Sequence, residues 1–134
     1  MKVVLDTNVF ISAVFLTGPP LEILRAWGRS EFEWVLSPEI LREYQEVSER
    51  LAARFPGTEI SDLLALVATK GTLVQQAALS EPICEDPDDD KFFATAVAAE
   101  ARIIVSGDKH LLGASGYRRI RVLRPRELLD ELSA

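Results

Sequence analysis

Four carboxylates stand where a fold can gather them: Asp6 ends the apolar run KVVL, Glu43 sits in a long charged helix, Asp90 closes DPDDD, and Asp108 follows RIIVS. Side by side, such groups repel one another and are costly to bury unless something positive lies between them. Mg²⁺ or Mn²⁺, cations that prefer oxygen, answer that cost. Clusters of this kind activate a water and stabilise the leaving oxygen in phosphodiester hydrolysis. One cysteine, Cys84, and one histidine, His110, are too few for a zinc site. A lone cysteine forms no internal disulfide, and the sequence brings neither residue a partner for nucleophilic catalysis.

Each acid also has a plainer reading. At about 100° per residue, Ile40, Tyr44, Val47 and Leu51 form one buried stripe, and Glu43 lies about 60° from Ile40 at its border. Glu39, Glu46 and Glu49 lie further round, and a solvated boundary glutamate satisfies the pattern equally well. Asp90, Phe93, Ala94, Val97 and Ala101 share one helical face, which turns Asp90 toward the core. Asp88 and Asp89 point elsewhere, and helix capping with a favourable dipole interaction accounts for them. Phe92, Ala96 and Ala99 make the opposite face apolar too, so burial of this helix is better indicated than its orientation.

The elements that must position these acids alternate between strand and helix. KVVL at 2–5 reads as a strand, VFISAVFL as a helix, Gly18-Pro19-Pro20 as a break, and about 21–28 as a second helix. EWVL at 33–36 is the second strand, followed by Ser37 as cap and Pro38 in the first turn of a helix to about 54. Phe55-Pro56-Gly57 stops that helix, Thr58 caps another to about 69, and TLVQ at 72–75 is a weak third strand. A helix to about 101 follows PICEDPDDD. RIIVS at 102–106 and RIRVL at 119–123 are strands four and five, and Pro125 opens a closing helix. Strands separated by helices favour a parallel sheet, whose ligands gather at the carboxyl ends of the strands. Asp6 and Asp108 are therefore expected at one edge.

The 134 residues amount to one domain, 1–134, by the prior of roughly 150 residues each. With 48% apolar and 27% charged residues, the chain has a globular balance rather than a disordered one. The net charge of −6 argues against binding nucleic acid through an overall basic field, and leaves room for a local basic patch or a metal bridging to phosphate. MKVVLDTNVF reaches Asp6 too soon for a signal-peptide core, and no apolar run approaches the ~20 residues of a membrane span. A cytoplasmic protein with no membrane association is expected.

Taken together, DTNV at 6–9, Glu43 in SPEILREYQEV, DPDDDKFFATAVAAEA at 86–101 and SGDKHLL at 106–112 resemble the PIN domain family over essentially the whole chain. The likeness is closest to the toxin components of toxin–antitoxin systems, related to the VapC-type ribonucleases. It implies an α/β, three-layer αβα fold with a five-stranded parallel sheet, and Mg²⁺- or Mn²⁺-dependent RNA cleavage at its carboxyl edge. By motif, the resemblance makes Asp6, Glu43, Asp90 and Asp108 the four acids of the catalytic and metal-binding site, Glu43 acting directly or through water. Thr7, Asn8 and Ser106 match small polar positions that orient the carboxylates or the metal's waters. Many family members carry a further acid where this chain has His110, which is left outside the core site. An antitoxin partner and homodimerisation are also implied.

Arg118, Arg119, Arg121, Arg124 and Arg126 form the one basic cluster, and alternation sets Arg119 and Arg121 on one face of the last strand. They are candidates for RNA or partner contacts, or for a solvated edge that resists aggregation. Two rival functions remain: a haloacid-dehalogenase-like phosphatase using Asp6, although Asn8 stands where that class needs a second acid, and a non-catalytic PIN-like module that binds RNA or protein.

Overall fold

A computed structural model describes residues 1–55 and 60–134. The strands are β1 (Lys2–Leu5), β2 (Glu33–Leu36), β3 (Thr72–Leu73), β4 (Ile103–Val105) and β5 (Arg121–Leu123). They form one sheet in the order β3-β2-β1-β4-β5, and every adjacent pair is parallel. The register pairs Val3 with Trp34 on one side and Leu5 with Val105 on the other, so β1 lies at the centre. Successive strand residues face opposite sides, yet Val3, Val4 and Leu5 are all buried. Both faces of the sheet are thus covered, which is what the continuous apolar runs of the central strands require.

The helices among the described residues are α1 (Thr7–Phe15), α2 (Pro19–Gly28), α3 (Pro38–Ala52), α4 (Ile60–Lys70), α5 (Asp90–Ala99), α6 (Lys109–Gly113) and α7 (Pro125–Ser133). Helix α5 packs against β1, β2 and β4, while α2 packs on α1 and α7. The fold is the expected α/β arrangement, a parallel sheet between helices. Among the described residues no single helix is long and apolar enough to cross a membrane.

Several boundaries differ from expectation for local reasons. Pro19 and Pro20 are the first residues of α2 rather than part of the break, because a proline in the first turn forfeits no helical hydrogen bond; Gly18, at φ 96°, makes the turn. Strand β5 begins two residues late. Residues Tyr117–Arg119 form a 3₁₀ turn with Arg118 and Arg119 at φ 49° and 65°, so Arg119 is not on the strand and shares no face with Arg121. On α3 the buried line runs Ile40, Tyr44, Ser48, leaving Val47 and Leu51 half-buried at its flanks. Pro56, Gly57 and Thr58 lie outside the described residues.

One part of the core directly sets the site. The rings of Phe10 and Tyr44 stack at 4.4 Å, and Trp34 meets Trp27 edge-on at 4.9 Å. Within this knot the Tyr44 hydroxyl donates to the Leu5 carbonyl at 2.5 Å and accepts from Trp34 Nε1 at 3.4 Å. Leu5 immediately precedes Asp6, and Tyr44 immediately follows Glu43. A buried hydrogen bond therefore ties the carboxyl end of β1 to the turn of α3 that carries Glu43.

Candidate active site

Asp6 lies where β1 ends and α1 begins, and its amide donates to the Val105 carbonyl at 2.9 Å, extending the sheet. Its carboxylate is buried, with Oδ2 accepting from Ser106 Oγ at 2.7 Å. Ser106 Oγ in turn accepts from the Asp108 amide at 2.9 Å. A single buried hydroxyl thus links the acids that follow β1 and β4. Asp108 caps α6, accepting from the His110 amide on Oδ1 at 2.7 Å. The His110 ring turns away to Glu85, with Nδ1 3.2 Å from Oε2.

Burial pushes the Asp6 carboxyl above its ordinary range; the Ser106 hydroxyl and the nearby Asn8 amide work against this, while the Asp108 and Glu43 charges reinforce it. Asn8 contributes through its backbone, since its side chain is exposed. Thr7 is buried, and its Oγ1 finds no partner among the described residues.

At the start of α5 the structure redistributes the expected roles. Asp90 directs its carboxylate to the loop before the helix, where Oδ1 accepts from the Cys84 amide at 2.7 Å and Oδ2 from the Ile83 amide at 3.3 Å. Both oxygens hold backbone, so Asp90 pins the 83–84 loop. Burial, followed by the charges of Asp108 and Asp6, raises the Asp89 carboxyl to about 6. Asp89 stands at the N-cap position of α5 but makes no side-chain capping bond; Asp86 caps the 3₁₀ turn Pro87–Asp89 that leads into the helix, accepting from the Asp88 amide at 3.0 Å with Pro87 in its first turn. The same Asx-Pro logic that identifies Ser37-Pro38 as a helix start applies to Asp86-Pro87, and it frees Asp89 for the cluster.

Glu43 stands at the border of the packed face of α3, as its angle indicated, and is paired with Lys91 of α5. The same ammonium reaches Asp88 Oδ2 at 3.1 Å. Periodicity gave no reason to single out Lys91; the only signal was a basic residue beside an acidic run. Beside this pair, between α3 and the segment 76–91, opens a cleft of about 1010 Å³ whose walls include Arg42, Glu43, Arg50, Asp90 and Lys91. Cys84 offers no nucleophile here, since burial and the neighbouring Asp90 push its thiol up to about 12.

Arg119 and Arg121 lie at or before the start of β5, whereas Asp6 and Asp108 lie beyond the ends of β1 and β4. In a parallel sheet these are opposite edges. Arg121 is moreover engaged by Glu131 of α7, with Nη1 2.8 Å from Oε1.

As the side chains lie, no three His, Cys, Asp or Glu among the described residues converge around one point tightly enough to enclose an ion. The chemistry of the donor set nonetheless fits a hard divalent cation. Asp6, Asp89 and Asp108 supply only oxygen, and the first two are raised by burial and by neighbouring acids, the imbalance a cation relieves.

Comparison with known proteins gives two matches. The family model of the PIN domain matches residues 2–110. The protein named "Uncharacterized protein MJ1680" of Methanocaldococcus jannaschii is 32% identical over 143 aligned positions, spanning 98% of this chain and 91% of that protein.

Proposed function

The chain belongs to the PIN domain family, and on that premise we propose that it is a Mg²⁺- or Mn²⁺-dependent endoribonuclease, the toxin of a type II toxin–antitoxin pair. The observation that carries the reading is the link of Asp6 and Asp108 through the buried Ser106 hydroxyl at the carboxyl edge of a parallel sheet, with the Asp89 carboxyl raised by their charges. Asp6, Asp89 and Asp108 would hold the ion, which would supply Lewis-acid polarisation of a phosphodiester and activation of water. Ser106 fixes the Asp6 and Asp108 arms relative to each other, and Tyr44 fixes Glu43 relative to Asp6. Glu43, with one oxygen on Lys91, keeps Oε1 to orient the attacking water. Asp90 acts at one remove by holding the loop that precedes Asp89. RNA approaches this edge, away from Arg119 and Arg121.

End-labelled RNA incubated with the purified chain in Mg²⁺, Mn²⁺ or EDTA tests the enzymatic half. Cleavage in either metal that EDTA abolishes is expected, and cutting that persists in EDTA contradicts it. The toxin half predicts growth arrest on expressing the chain alone and relief by an antitoxin encoded beside its gene. Unimpeded growth with an active nuclease would leave an RNA-processing enzyme.

A further inference from the structure

The cleft beside Glu43 carries Arg42, Arg50 and Lys91 in its walls. Lys91 is already committed: it pairs with Glu43 and reaches Asp88 Oδ2 and the Asp88 carbonyl, each at 3.1 Å, so its three donors have three acceptors. The two arginines differ. Both are exposed, and neither forms an ion pair among the described residues. A guanidinium presents a planar fork that matches the oxygens of a phosphate, and these two are free to offer it.

Their spacing decides what they can hold. Glu39, Arg42, Glu43, Glu46 and Arg50 lie within one stripe of α3, the stripe that walls the cleft. At 1.5 Å per residue, Arg42 and Arg50 stand about 12 Å apart along the helix, too far to share one phosphate and suited to two phosphates of one strand. The glutamates between them repel a bare polyanion, yet they can accept from the N–H groups of base edges, which a single strand exposes and a duplex hides. We propose that this cleft is the path of a single-stranded RNA substrate, with Arg42 and Arg50 gripping phosphates beyond the one at the acids. This rests on the ribonuclease reading above, and adds the residues that hold the strand rather than cut it.

Fluorescence anisotropy of a short, labelled, mixed-sequence single-stranded RNA, titrated with the whole chain in EDTA from about 50 to 200 mM KCl, reads these contacts without cleavage. Each phosphate contact contributes about 0.7 to the slope of log K against log salt. Arg42→Gln and Arg50→Gln should each lower that slope by about 0.7, and the double variant by about 1.4, whatever the RNA sequence; the double Lys variant should restore it. Arg119→Gln, on the opposite edge, should leave it unchanged, and duplex RNA should bind more weakly than the single strand. An unchanged slope in the double Gln variant, an equal drop in Arg119→Gln, or duplex bound as tightly as single strand overturns the inference. So does cleavage in Mn²⁺ by a chain that binds no RNA in EDTA, since the ion would then make the contacts. The expected slopes without cleavage in Mn²⁺ would keep the cleft and overturn the nuclease reading alone, whereas neither binding nor cleavage overturns both.

Discussion

At the scale of single residues, neighbours in one acidic run do different work. Asp90 accepts two backbone N–H groups, while the Asp89 carboxyl is raised by burial and by the charges of Asp108 and Asp6. Helical angles favoured Asp90 because they measure which side of α5 faces the core, and α5 is buried on nearly every side. Angle alone could not separate an acid that holds a loop from one raised by other acids. The distinction was partly legible: Asp86-Pro87 marks the start of the turn as clearly as Ser37-Pro38 does, and once Asp86 is the cap, Asp89 needs another role. Asp90→Asn exchanges an acceptor oxygen for a donor facing a backbone N–H. It should lower stability by about 1–3 kcal/mol, read as a lower urea midpoint, while metal-dependent cleavage persists. An unchanged midpoint would contradict the loop-holding role.

Among elements, the link between β1 and α3 matters most for the site. The order of strands and helices was readable because the central strands are short runs, apolar after their first residue in β1 and β2, set between longer periodic segments. What escaped was local. Helix α6 has five residues, too few for periodicity to show, and β5 lost its first two residues to a turn in which Arg118 and Arg119 take left-handed conformations. No sequence pattern announced that the Tyr44 hydroxyl would reach the carbonyl of Leu5. Tyr44→Phe keeps the stacked ring but leaves that buried carbonyl without its donor. The expected cost is about 1–2 kcal/mol of stability. Because α3 then holds Glu43 less firmly, cleavage should slow more than RNA binding weakens. Equal losses in the two would mean that the bond stabilises the fold without positioning the site.

Across the whole molecule, charge couples the site to stability. Asp6 and Asp89 are carboxyls whose folded-state values are raised, so between the ordinary carboxylate range and about 6 the folded chain binds protons more tightly than the unfolded one. Their contribution to stability is therefore greatest at low pH and is lost as pH rises through that window. In EDTA the wild-type melting temperature should fall between pH 4 and 7 relative to that of Asp89→Asn, which lacks one of the two groups. Mn²⁺ at neutral pH should restore it by binding the folded state alone. Parallel pH profiles for the two proteins would contradict the placement of Asp89. The fold class, the sheet and the edge at which Asp6 and Asp108 meet were all legible from the sequence. The third acid and the lysine beside it were not, because their roles depend on which way neighbouring side chains turn.

The most direct test of the account is the single-turnover rate of cleavage of one RNA in Mn²⁺ by the wild type, Asp6→Asn, Asp89→Asn and Asp90→Asn, each confirmed folded. The account predicts a fall of at least about 100-fold for Asp6→Asn and Asp89→Asn, and a rate within about tenfold of wild type for Asp90→Asn. Wild-type rates in Asp6→Asn and Asp89→Asn, or a loss confined to Asp90→Asn, would contradict it.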